Sequence, residues 1–194
     1  MRLRDAGAPL SGTVAMPCSA RGFTLAELVV VVCLLGILLG VGAPAFSAML
    51  ERNRATAALH QLTASLASAR LAAVRHGHPV TLCPTRDGLR CRRDLVWDEG
   101  WMIFMDPGRD EHPRSPEAIL QHADVPPGRL AIRSTLGRHR VRFQPTGWSS
   151  GNNLSLRLCS AADARLLATV IVNNAGRPRT ERTTAAAGSC PYLP

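Results

Sequence analysis

The sequence predicts an α+β protein: one long N-terminal helix, membrane-spanning in its first half, packed through its second half on an antiparallel β-sheet head. Three observations predict it. An almost uninterrupted apolar run extends from Phe23 to Phe46, with no charged residue between Leu28 and Val41. Small residues and leucines then recur at spacings of three and four from Ala55 to Ala73. From Pro79 the pattern changes to short β-type runs separated by turn-prone residues. A chain of 194 residues holds one soluble domain and a membrane segment rather than two large domains.

Residues 1–22 are polar and small, with Arg2, Arg4 and Arg21 against one acid, Asp5. Basic residues ahead of an apolar run predict a cytoplasmic N-terminus. The run over 23–46 is about the roughly 20 residues that cross a bilayer's hydrocarbon. One carboxylate, Glu27, interrupts it near its start. An unpaired acid in hydrocarbon is costly, so its presence points to a function. A cut after Gly22 would create an α-ammonium close to Glu27 along the helix. In a filament, Glu27 could then meet the amino group of a neighbouring subunit and select register and partner. The alternative is that Glu27 lies at headgroup depth and is simply solvated. An ordinary secretory signal would instead be cut after the apolar run, where Gly40-Val41-Gly42-Ala43 offers small residues.

The stretch Gly22-Phe23-Thr24-Leu25-Ala26-Glu27-Leu28 resembles the class III signal of type IV prepilins and type II secretion pseudopilins. The resemblance implies a prepilin peptidase that cuts on the cytoplasmic side between Gly22 and Phe23 and N-methylates Phe23. It also implies an assembly role for Glu27 and a helix kink near Pro44.

Over residues 47–78 the helix is expected to continue as an amphipathic segment. Ala55, Leu59, Leu62, Leu66, Ala69 and Ala73 form its apolar face, and Arg52, Arg54, His60, Arg70 and Arg75 fall mostly elsewhere. Gly77 and Pro79 are the stop signal. His60, His76 and His78 have no metal-ligand spacing, and no metal or cofactor is expected.

Residues 79–194 read as a strand-rich head, with PVTLC, GWMIFMD, AILQHA, HRVRFQP, NLSLRLC and LLATVIVNN as strands. Turn-prone stretches separate them, at 86–88, 106–116 and 126–128. In HRVRFQ, His139, Val141 and Phe143 alternate with Arg138, Arg140 and Arg142, which predicts one buried face and one carrying three like charges. CPTRDGLRC, GWMIFMD, FQPTGWSSG, LRLC and VNNAGRPRT are similar to the head of the GspH/FimT family of minor pseudopilins and pilins. That resemblance implies a non-enzymatic, pilin-like subunit anchored by a single pass in the inner membrane, with its head in the periplasm. Its implied partners are other major and minor pilins, the peptidase and an inner-membrane assembly platform.

Of six cysteines, Cys18 would leave with the leader and Cys33 sits in the apolar run as a small hydrophobe. Cys83, Cys91, Cys159 and Cys190 remain, an even count that favours disulfides in an exported domain. Four cysteines allow three pairings. The one expected joins Cys83 to Cys91 across the turn at Asp87-Gly88, and Cys159 to Cys190, stapling the tail onto a strand. Zinc is disfavoured because the spacings do not suit paired ligands.

Gly147-Trp148-Ser149-Ser150-Gly151 fits the G-x-S-x-G pattern of hydrolase nucleophile elbows. That chemistry needs a strand, a sharp turn and then a helix. Here another strand pattern follows, so a hairpin turn is expected and no enzyme. All 23 basic residues are arginine, and the net charge of +9 favours anionic partners. Gly176 can turn the chain, and Pro178 would hold the next residues extended with Arg177 and Arg179 on one side. Paired guanidinium groups suit phosphate oxygens. The stretch resembles the GRxR motif of FimT-type minor pilins, which bind double-stranded DNA during natural transformation; carried over, the contacts are Gly176, Arg177 and Arg179, with Arg182 as a helper. The alternative is a structural type II secretion pseudopilin with no ligand.

Overall fold

In a computed structural model the described residues are 22–125, 130–149, 151, 153–183, 186 and 189–190. The leader to residue 21, including Cys18, and the turn expected at 126–128 lie outside them. One helix, α1, spans Leu25–His76. The chain divides into two compact units, Met1–Pro44 and Ala45–Pro194.

In the first unit the helix starts on a side-chain cap. The Glu27 N–H donates to Thr24 Oγ1 at 3.3 Å and the Leu28 N–H to the Thr24 carbonyl at 3.1 Å. Thr24-x-x-Glu27 is thus a capping-box sequence, with an acid in the first turn where the helix dipole favours it. Leu28, Val30, Leu34, Ile37, Leu38 and Val41 are all exposed. The helix is long and apolar enough to cross a membrane, and none of its most apolar window is buried.

In the second unit α1 becomes amphipathic. Its buried residues are Ala55, Ala58, Leu59, Leu62, Ser65, Leu66, Ala69 and Ala73, one continuous stripe. It ends at Gly77, whose φ of 65° is left-handed and whose N–H donates to Ala73 O at 3.1 Å.

Eight strands follow: β1 (Val80–Pro84), β2 (Trp101–Met105), β3 (Ile119–Ala123), β4 (Leu130–Ser134), β5 (Val141–Phe143), β6 (Leu154–Ser160), β7 (Leu166–Val172) and β8 (Pro178–Arg182). They form two antiparallel four-stranded sheets, ordered β3-β2-β1-β5 and β4-β6-β7-β8. The inner faces of both sheets close on the helix stripe in one core. Val80, Leu82, Trp101, Ile103, Val141 and Phe143 come from the first sheet. Ile132, Leu154, Leu156, Leu158, Val170 and Val172 come from the second.

Two strands escape the sequence pattern. β4 (LAIRS) closely follows the turn-prone stretch at 126–128, and β8 (PRTER) has no apolar alternation at all. β8 exists because it pairs with β7, and its proline sits at the first position of an edge strand, where a missing N–H is tolerated.

Cys83 is bonded to Cys91, and Cys159 to Cys190. Inside the first loop, the Leu89 and Arg90 N–H groups both donate to Asp87 Oδ1 at 2.9 Å, which holds that carboxylate's pKa below its usual range. The second disulfide closes a loop of sequence separation 31 that contains all of β8. Cross-links of that span stabilise by about 3–4 kcal/mol through the unfolded chain. Cys33 is free and exposed.

Leu66 has no exposed surface and lies mid-stripe. Leu66→Ala is expected to cost about 2–5 kcal/mol, read as a lower urea midpoint with an unchanged slope.

Candidate nucleic-acid interface at the edge strand

The Gly176–Arg182 stretch folds as a clamped turn leading into β8. After the buried Val172, the chain turns over residues 173–177. The Gly176 N–H donates to Asn173 O at 2.8 Å and the Arg177 N–H to Asn173 Oδ1 at 3.3 Å. Gly176 has a φ of 68°, and a Cβ there would stand 2.2 Å from Gly147 O. Both the dihedral and the close approach therefore require glycine.

The other side of that approach is the 144–149 turn. Gly147 O accepts from Arg70 Nε of α1 at 3.0 Å. Ser149 donates its N–H to Asn174 O at 3.0 Å and its hydroxyl to Asn173 O at 2.7 Å. The helix and the two turns are thereby interlocked. Ser149 has no exposed surface, and its hydroxyl is spent on a carbonyl, so it lacks the open position a nucleophile needs.

Register across β7 and β8 sorts the basic residues by face. Val172↔Pro178, Val170↔Thr180 and Ala168↔Arg182 are partners, and these β7 residues face the core. Ile171↔Arg179 and Thr169↔Glu181 lie on the opposite, outer face. Arg177 and Arg179 are exposed at the turn and on that outer face. Arg182, expected beside them, is also exposed but lies on the helix-side face, one residue out of phase. Arg179 Nη2 is 3.4 Å from Glu181 Oε1, an exposed pair of the kind that contributes little.

Trp148 is 55% exposed on the turn whose backbone touches Asn174 and Gly176. In the sequence Trp148 lies inside the G-x-S-x-G stretch, where the serine draws the attention. A large aromatic at a hairpin turn is the signal that would have marked it.

The three-arginine face expected on β5 is not an open basic stripe. Asp106, whose side chain has no exposed surface, accepts from Arg142 Nε at 2.7 Å and from the Thr81 hydroxyl at 2.6 Å. Arg140 and Arg142 both donate to Asp110 O, at 3.1 and 3.0 Å. A buried carboxylate needs such partners, and here it takes them from the strand's own arginines. His139 Nε2 accepts from Arg140 Nε at 3.0 Å. Burial first, then the positive Arg140 and Arg93, lower the His139 pKa.

Near the N-terminus, Gly22 and Phe23 are exposed, and a Cβ on Gly22 would meet nothing within 4 Å. The two residues of the expected cut and Glu27 share one short accessible segment.

The architecture of one apolar N-terminal helix on antiparallel sheets is that of a pilin-like protein. A family model described as Type II transport protein GspH matches residues 58–176, more than half of the chain. The chain belongs to the GspH family of minor pilins and pseudopilins. The match ends at Gly176, so Arg177, Arg179 and Arg182 lie beyond it. Among solved structures, the type IV minor pilin FimU of Pseudomonas aeruginosa is similar in two crystal forms. At 18% identity one covers 74% of this chain and 99% of its own, with a TM-score of 0.53. The other is 19% identical, covers 71% and 99%, and has a TM-score of 0.50. The solution structure of Escherichia coli GspH is 17% identical, covers 71% and 93%, and has a TM-score of 0.44. Comparison with curated proteins gives no match.

Two outcomes check this geometry. Gly176→Ala is expected to cost about 1–3 kcal/mol, measured by denaturant unfolding. Because the folded pKa of His139 lies below the unfolded value of about 6.5, its contribution is full above that pH and lost as pH falls through the folded pKa. His139→Gln should remove that part of the acid sensitivity in melts taken between neutral and mildly acidic pH.

Proposed function

We propose that this chain is a minor pilin of a type IV pilus that takes part in pilus biogenesis and binds DNA without sequence preference through Arg177 and Arg179. In this reading residues 1–22 are a cytoplasmic leader and 23–46 cross the inner membrane. Residues 47–78 continue the helix, and 79–194 form the periplasmic head. The prepilin peptidase cuts between Gly22 and Phe23 and methylates Phe23. Glu27 engages the new ammonium of a neighbouring pilin at the assembly platform. The exposure of Gly22 and Phe23 supports the cut, since a peptidase needs that bond accessible.

The observation that carries the DNA reading is the interlocked turn that holds two exposed arginines against the head. Guanidinium groups on a fixed turn lose little entropy when they engage phosphate oxygens. Glu181 is the local competitor for Arg179. Arg182 faces the other way and takes no part.

Fluorescence titration of duplex DNA with the full chain in detergent tests this. Arg177→Gln with Arg179→Gln is expected to weaken binding about tenfold and to flatten the salt slope by about two. Unchanged affinity, or none at low salt, removes the DNA role. Glu181→Gln should tighten binding by about threefold, since it frees Arg179.

The second reading is a structural type II secretion pseudopilin without a ligand. It is favoured by the end of the family match at Gly176, which leaves the arginines outside. Under both readings, mass spectrometry of the native protein should find an N-terminus at Phe23, one methyl group heavier than unmodified. An intact leader, or a cut after Gly40, would remove both.

A further inference from the structure

The outer edge of β8 is open: among the described residues its strand neighbour is β7 alone. Pro178 is half-buried, and Arg179, Thr180, Glu181 and Arg182 are exposed. The ladder to β7 fixes which backbone groups face out. The Thr183 N–H donates to Leu167 O at 3.2 Å, and in an antiparallel ladder alternate residues turn their N–H and C=O groups to the same neighbour. Arg179 and Glu181 therefore turn theirs to β7, while Thr180 and Arg182 direct an N–H and a C=O away from the sheet. Pro178 directs a C=O the same way and has no N–H to offer.

Such a row is a template for another strand, and proteins blunt it with charges and proline. PRTER carries both, and the order of its charges decides what it admits. Laid antiparallel against a second copy with Thr180 opposite Thr180, Arg179 stands opposite the second copy's Glu181, and Glu181 opposite its Arg179. Directly opposed side chains share a face, so these pairs fall on the outer face, where Arg179 already lies 3.4 Å from its own Glu181. Arg182 stands opposite Pro178, so no guanidinium group faces another. The outward backbone groups match as well. The Thr180 residues exchange N–H···O=C bonds, and each Arg182 N–H meets a Pro178 carbonyl, which asks nothing of the proline nitrogen. Sliding the copies by two residues, the smallest step that keeps outward groups facing each other, sets Arg179 against Arg179 or Glu181 against Glu181. An acidic peptide of another protein would suit the arginines but set like charge against Glu181. The self-complementary order favours a second copy of this chain.

We propose that β8 is a self-association edge: two copies pair their β8 strands antiparallel about Thr180 and join their second sheets into one. The contact is isologous, each copy offering the same strand. Five residues of pairing are less than a permanent interface requires, so association is weak and reversible. Pairing places Arg179 between two carboxylates and so draws it away from phosphate. The inference concerns the head unit alone and rests neither on DNA binding nor on the membrane anchor.

Sedimentation equilibrium of the full chain in density-matched detergent tests it. The expected result is a monomer–dimer equilibrium that shifts to dimer as chain concentration rises. Arg179→Glu and Glu181→Arg each set like charges opposite one another between identical copies, and each is expected to weaken dimerisation about tenfold. Mixed in equal amounts, the two variants are complementary at both positions and should recover wild-type association. So should Arg179→Glu with Glu181→Arg in one chain. Thr180→Pro removes an outward N–H without touching the β7 ladder and should abolish the dimer, with a circular-dichroism melt confirming the fold. The charge reversals alone decide where that variant unfolds. A wild-type chain that stays monomeric at all concentrations overturns the proposal. So does a dimer that all variants share, which would place the contact on the apolar helix, or a loss in the single variants that mixing does not restore.

Discussion

The alanine and leucine stripe on the second half of α1 is the contact on which the head depends. Ala55, Ala58, Ala69 and Ala73 allow two sheets to approach one helix closely, and Leu59, Leu62 and Leu66 fill the space between them. Neither sheet buries its inner face on the other alone; both borrow the same helical surface. The sheets' ends are then brought together at Gly147 and Gly176, where an arginine of the helix also bonds. The position of the basic turn is inherited from the core through that chain of contacts.

An arginine-rich chain must also dispose of charge, and the head does so unevenly. Arg142 is held by the buried Asp106, Arg133 by Asp98, and Arg92 by Asp94 and Glu99. These guanidinium groups brace loops and sheet faces and attract little from solution. Among the exposed arginines left with little compensation, Arg177 and Arg179 lie near the turn before β8 and Arg182 at its other end. Net charge alone suggested one anionic partner for the whole surface. The distribution of carboxylates leaves that charge uneven over the head.

Much of the fold was legible because its signals are periodic. The helix stripe, its glycine stop and six strands follow from spacing, and the cysteine pattern anticipates the two disulfides of the structure. β8 was not legible, since PRTER has no alternation and is a strand only by pairing. The capping role of Thr24 was readable from Thr-x-x-Glu but was overshadowed by the charge of Glu27. At the site, Arg177 and Arg179 stand out in sequence as a pair on a restrained turn. The turning away of Arg182 needs strand register, and the tethering of Arg140 and Arg142 needs the Asp110 carbonyl and, for Arg142, the Asp106 carboxylate, 30 residues or more away. Such long-range pairings leave no local trace.

The central claim is that one clamped turn, and not the general basicity of the chain, meets nucleic acid. Amide chemical-shift mapping of the detergent-solubilised chain during addition of a short DNA duplex tests it most directly. The account predicts perturbations confined to residues 147–149 and 173–181, saturating together. Perturbations centred on residues 138–142, or spread over all exposed arginines without saturation, would contradict it.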